Sequence, residues 1–149
     1  QLNDEVFEMV EGLTEDGVED EKHTLLILDD VSSQLRLKEN EKQLNQMIKN
    51  RRHMNLSIWI VGHKATDLSP SLRSNANMLF LFKAKSMKEK IAIQEEFMMM
   101  KKNDADAVMA AAYKTRFDFL LIDTSLRISA DFLFYRNYNL LEFEDENEK

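Results

Sequence analysis

The 149-residue sequence contains no cysteine, one proline and three glycines. Without cysteine there is no disulfide, no thiol nucleophile and no thiolate-bound zinc, which suits a reducing compartment. Histidine is also scarce: His23, His53 and His63 are the only three, and they are scattered, so no imidazole metal centre is expected. No apolar run approaches the ~20 residues that span a bilayer, and the amino end lacks the basic and apolar regions of a signal sequence. The expectation is a soluble chain that is not exported and has no membrane partner. No internal repeat is visible.

What is present is ordinary for a folded protein. Hydrophobic residues make up 44% of the chain, and its length fits one domain with a real core. The net charge of −7 is unevenly spread: residues 1–30 hold eleven acids against Lys22, residues 142–149 hold five against Lys149, and the middle holds eighteen basic against eleven acidic residues. Acidic ends around a basic middle allow a local anion-binding face and argue against indiscriminate DNA binding by the whole surface. For most of these charges a solvated face is explanation enough.

In chain order, Leu2, Val6, Met9, Val10 and Leu13 recur at helical spacing, with Asn3 placed to cap the helix and Gly12 to stop it. Residues 14–22 read as a solvated acidic loop. Residues 24–30 read as a strand, 38–52 as a helix with Leu44, Met47, Ile48 and Arg51 on one face, and 56–62 as a second strand. That strand, helix, strand order predicts a right-handed parallel crossover pairing 24–30 with 56–62. Pro70 marks an irregular excursion with a turn of helix at 71–75. A third strand is expected at 78–82, and Ser86-Met87-Lys88-Glu89 matches a capping box opening a helix to about residue 102. Asp104 is placed to cap a further helix through 105–114. Strands are expected at 117–123 and 132–135, before a frayed acidic tail. The pattern predicts an α/β fold, a three-layer sandwich with a mostly parallel sheet. Within it, 1–23 form an acidic helix and linker, 24–135 the core and 136–149 the tail.

The chain is organised around Thr24-Leu25-Leu26-Ile27-Leu28-Asp29-Asp30. An apolar strand without helical periodicity reads as buried on both faces. Its two terminal carboxylates fit two readings: a strand running into an Asp-rich turn, or a Walker B strand, in which one acid holds the Mg²⁺ shell and the next orients the attacking water.

Three features in order carry a resemblance: the strand ending in Asp29-Asp30; Arg51-Arg52-His53-Met54-Asn55 leading into Ser57-Ile58-Trp59-Ile60-Val61; and Leu68-Ser69-Pro70-Ser71-Leu72-Arg73-Ser74-Asn75 before a Phe-rich strand. Together with Phe119-Leu120-Leu121-Ile122-Asp123, this order resembles the poxvirus-type DNA packaging ATPases of the HerA/FtsK division of P-loop NTPases, found in large DNA viruses and virophages. The likeness spans about residues 25–134. It implies a P-loop NTPase-like fold that is incomplete here, because no Gly-rich loop ending in Gly-Lys-Ser/Thr occurs in the chain. In that family the loop precedes Walker B, so the resemblance implies a missing N-terminal portion. The first residue being Gln rather than Met fits a processed chain or part of a longer one. The family places the loop's strand between 56–62 and 78–82, so its removal predicts either two exposed apolar edges or direct pairing of those two strands.

The resemblance also implies roles. Asp29 corresponds to the Mg²⁺-side acid, acting through water, and Asp30 to the general base, a position where Glu is more usual. His63, where such motors more often have Gln or Asn, corresponds to the sensor of the γ-phosphate or water; the plain alternative is a loop histidine. Arg52, or its neighbour Arg51, corresponds to an arginine finger reaching a neighbour's nucleotide, with Arg73 as rival; arginines at a helix end also simply favour the dipole. Lys83, Lys85, Lys88 and Lys90 are candidates to face a DNA path, and Met98-Met99-Met100 reads as flexible core or interface packing.

The expected function is the C-terminal part of an ATP-driven motor that moves viral double-stranded DNA into capsids, working as a homo-oligomeric ring on a capsid or portal protein. Its cofactors would be Mg²⁺ and ATP, and its place the virion or a virus factory in the host cytoplasm. The chain alone is expected to bind nucleotide poorly. The alternatives are a non-catalytic scaffold derived from such an ATPase and a plain DNA-binding module, the latter disfavoured by the acidic total.

Overall fold

The computed structural model describes residues 2–125 and 133–142. Two compact units divide the chain, Gln1–Asn75 and Ala76–Lys149. The fold class is α/β. Of the expected tail at 136–149, residues 143–149 lie outside the described residues.

The first unit opens with α1 (Asp4–Glu19), capped by Asn3, whose side chain accepts a hydrogen bond from the Val6 amide at 3.2 Å. The helix runs well past the predicted stop at Gly12. Its buried face is Phe7, Val10, Thr14 and Gly17, and Met9 and Leu13 point outward. Gly17 lets the helix end approach the sheet: a Cβ there would lie 3.3 Å from Thr24 Oγ1. β1 (Thr24–Asp29) comes next, then the short α2 (Ser32–Leu35), α3 (Lys38–Asn50) and β2 (Leu56–Val61).

β1 and β2 pair in parallel as predicted, in register from Thr24 opposite Leu56 to Asp29 opposite Val61. Antiparallel neighbours can be joined by a two-residue turn, but a parallel pair needs a crossover, here supplied by α2 and α3. One face of the pair packs on a core containing Leu2, Phe7, Val10, Leu28, Leu35, Leu44, Met47, Ile48, Leu56 and Leu72. A 3₁₀ turn (Ala65–Asp67) and α4 (Pro70–Ser74) complete the unit, with Ser69 capping α4 and Pro70 at its first turn.

The second unit contains β3 (Met78–Phe82), α5 (Met87–Ile93), a π turn (Gln94–Met98), α6 (Lys102–Ala112), β4 (Phe119–Asp123), β5 (Leu133–Arg136) and β6 (Asn139–Leu140). Ser86 caps α5 as expected, its hydroxyl accepting from the Glu89 amide at 3.2 Å. Here the pairing departs from the parallel expectation: β3, β4, β5 and β6 form an antiparallel sheet in that order. The reason is clearest at β5 and β6, where the two-residue turn Asn137-Tyr138, with Asn137 at φ 55°, leaves no length for a crossover. β2 and β3 belong to separate sheets, so the direct pairing of those two strands does not occur.

Asp118 fastens β4 to the β5–β6 turn. Its carboxylate accepts from the Thr115 amide at 2.7 Å, Arg136 Nε at 3.2 Å and Asn137 Nδ2 at 3.1 Å. Burial alone would raise its pKa; the hydrogen bonds from Asn137, Thr115 and Arg136 outweigh that and hold it at about 2.

Candidate functional site

The carboxyl ends of two adjacent parallel strands converge by construction, and β1 and β2 end at Asp29 and Val61. Beyond them the chain turns sharply. Asp30 takes a left-handed backbone conformation, φ 52°, while its amide still bonds the Val61 carbonyl at 3.3 Å. Aspartate is among the few residues that tolerate this conformation. The turn brings the Asp30 carboxylate to His63, with Oδ1 and Nε2 3.4 Å apart. Both side chains are largely exposed, so their mutual attraction is weak. The pair is open to a ligand arriving from outside the chain.

Ser32, at the start of α2, joins this end of the sheet: a Cβ built on Gly62 would lie 3.7 Å from its hydroxyl. Arg36, just past α2, reaches Asp67 in the 3₁₀ turn at 3.5 Å, tying the loop after β1 to the loop after β2. Neither contact was legible in the sequence, although a Ser-Ser pair one residue beyond two acids was a usable signal for the first. Asp29 is exposed and, by strand alternation, shares a face with Leu25 and Ile27.

The two candidate arginines lie at opposite ends of the strands. Arg51 and Arg52 occupy the turn between α3 and β2, where the Leu56 amide bonds the Arg51 carbonyl at 2.8 Å. The length of β2 puts that turn about 17 Å from the carboxyl end. Arg52 is therefore not brought together with Asp30 and His63 within one chain. Arg73, in α4, donates to the Leu68 carbonyl and lines a recess of about 300 Å³ with Leu35, Arg36 and Asp67. It belongs with the loops beyond the carboxyl ends.

Of the lysine cluster, Lys90 is committed to Asp106 at 2.5 Å, while Lys83, Lys85 and Lys88 are exposed. Met98 is buried and Met99, at φ 48°, is exposed, so the methionine run is split between core and surface. No group of three or more His, Asp or Glu among the described residues is arranged to hold a metal. Asp30 and His63 can orient a water between them, but Asp29 is not arranged with them as a metal-holding group. They do not supply the backbone N–H cradle that phosphates need, and none of the three glycines has a positive φ. No helix among the described residues is long and apolar enough to cross a membrane.

No family model matches the sequence, and no curated protein matches it. Solved structures do. The genome packaging NTPase B204 from Sulfolobus turreted icosahedral virus 2, in complex with ATP-gammaS, superposes with a TM-score of 0.65 at 16% identity, over 93% of this chain and 63% of that one. Its complex with AMPPCP gives 0.63 at 18% identity, over 94% and 63%. B204, the DNA-packaging ATPase from Sulfolobus turreted icosahedral virus, gives 0.65 at 17% identity, over 90% and 62%. At such identities the likeness is one of fold, and this chain spans less than two thirds of each of those structures. Over that part of their length the chain thus shares the α/β fold of these packaging-NTPase structures.

Proposed function

We propose that this chain is the C-terminal part of an ATP-driven motor, of the poxvirus-type HerA/FtsK division, that packages viral double-stranded DNA. The observation that carries the reading is the 3.4 Å approach of Asp30 and His63 at the carboxyl ends of adjacent parallel strands, the end of an α/β sheet where ligands bind. The solved structures of like fold with ATP-gammaS and AMPPCP add support.

In this reading an upstream segment supplies the phosphate-binding loop. Mg²⁺, when bound with ATP, neutralises developing phosphate charge. Asp29 holds the cation's water shell. Asp30 orients the attacking water and accepts its proton, and His63 fixes the direction of that carboxylate and senses the γ-phosphate. Arg52, about 17 Å away, serves a neighbouring subunit in a ring, and Arg73 is the nearer candidate within the chain. Lys83, Lys85 and Lys88 meet DNA phosphates. The whole of residues 1–149 is then one partial ATPase domain, in a motor seated on a capsid or portal protein and located in the virion or virus factory.

A second reading, a non-catalytic scaffold, is favoured by one observation: the sequence contains no Gly-rich loop ending in Gly-Lys-Ser/Thr. One experiment separates the two. Residues 1–149 alone bind ATP poorly, and the polypeptide with its natural upstream residues hydrolyses ATP only when Mg²⁺ is present. A natural polypeptide with no phosphate-binding loop and no hydrolysis would leave the scaffold.

A further inference from the structure

We propose that the outward face of the second unit's sheet is a stacking platform for single-stranded DNA; this deepens the functional reading above, and the choice of DNA rests on it. The two faces of the sheet differ sharply. On one, Leu120, Ile122 and Phe134 are buried, and α6 packs across β4 and β5. On the other, register sets Phe82 opposite Phe119 and Phe80 opposite Leu121, and Phe80 and Phe82 are 49% and 64% exposed. Phe119 is the hub of a ring cluster: its centroid lies 5.6 Å from Phe80, 5.8 Å from Phe82 and 5.4 Å from Tyr138, all tilted or edge-on. Such contacts hold rings in place without stacking them face to face. Tyr138, in the β5–β6 turn, is 76% exposed. Strand order sets Phe82 and Tyr138 on either side of Phe119, both largely open to solvent.

The same end of the sheet is basic. β3 ends at Phe82 and β4 begins at Phe119, so Lys83 and Lys85, just after the one, and Lys114 and Arg116, just before the other, flank the rings. All of these cations are exposed, and Arg116 also lies 5.5 Å over Phe117. Of the acids beside them in the chain, Asp118 is held by Arg136 at 3.0 Å and Glu89 accepts from the Lys85 amide at 3.2 Å. Rings among cations match unpaired bases on a phosphate backbone: every base has a π face that stacks on an aromatic side chain, and the charges follow the backbone whatever the sequence. Bases inside a duplex cannot reach such rings. A second copy is a poorer fit, since a two-fold contact through this patch would set like charges against each other.

Fluorescence anisotropy of a labelled thymidine oligonucleotide of about 12 nucleotides reads binding to the chain. Phe82→Leu keeps an apolar side chain and loses the ring; it and Tyr138→Ala should each weaken binding about tenfold or more, whereas Tyr138→Phe should bind as the unaltered chain does. An oligonucleotide of the same charge without bases should bind about tenfold more weakly, and duplex binding should not respond to Phe82→Leu. Lys83→Gln combined with Lys85→Gln should make the salt dependence shallower by roughly 1.4 in log–log slope, the value for two phosphate contacts on a single strand. No binding at low salt, equal binding with and without bases, or indifference to Phe82→Leu overturns the proposal. Competition by poly-glutamate as effective as by the oligonucleotide also overturns it and gives the face to an acidic protein. Mg²⁺-dependent ATP hydrolysis by the polypeptide with its natural upstream residues keeps the two claims apart: hydrolysis without strand binding overturns the platform alone, and strand binding without hydrolysis overturns the motor reading alone.

Discussion

Asp30→Asn, made in the polypeptide that carries the upstream residues, lowers Mg²⁺-dependent ATP hydrolysis by about 10²- to 10⁴-fold, the range for loss of a positioned general base. Nucleotide affinity stays within a few-fold, because the amide keeps the shape of the carboxylate and removes only its ability to take a proton. The substitution is also the least disturbing to the fold. Asp30 holds φ 52°, a conformation that asparagine tolerates as well as aspartate and alanine does not. His63→Ala gives a smaller loss, since in the proposed mechanism the imidazole serves only to orient the carboxylate 3.4 Å away. Steady-state hydrolysis together with equilibrium nucleotide binding checks both. Unchanged turnover in Asp30→Asn removes Asp30 from its role, and loss of binding with turnover points to a structural defect.

Leu44→Ala destabilises the chain by about 2–5 kcal/mol, the range for truncating a buried leucine. Leu44 is 0% exposed, on α3, in the cluster that includes Leu28, Leu35 and Leu56. That cluster is what holds α3 against the strands and so keeps the carboxyl ends of β1 and β2 together. Leu37, 57% exposed just before α3, is the control, and its replacement by alanine should cost under about 0.5 kcal/mol. Urea unfolding monitored by circular dichroism reads both. Equal effects at the two positions would mean that the cluster is not the unit's core.

The sequence was most readable where one physical force dominates. Short apolar runs marked β1, β2, β3 and β4. Asp30 and His63 were singled out by the family resemblance, and the structure places their side chains 3.4 Å apart just past the carboxyl ends of β1 and β2. The end of α1 was obscured because its inner face continues through Thr14 and Gly17, which do not register as apolar, within an acidic stretch that reads as loop. Strand direction in the second unit was hidden for a different reason. The long helical connection between β3 and β4 permits either direction, and the tight Asn137-Tyr138 turn fixes only that of β6 against β5. Arg52 shows the limit for sites. Because Arg52 precedes β2, its place at the amino end of that strand was legible, but the sequence did not identify which subunit's nucleotide it would face. The Arg36–Asp67 contact pairs residues with no shared motif, so no pattern announced it.

Paramagnetic broadening by Mn²⁺ bound with AMPPCP in the extended polypeptide tests most directly whether a metal–nucleotide complex sits at the end of this strand pair. The amides of Asp29, Asp30, Gly62 and His63 should broaden first, while those of Arg51, Arg52 and Asn55 at the opposite end stay sharp. Broadening centred on Arg52 and Asn55, or none in this unit while nucleotide is bound, would contradict it.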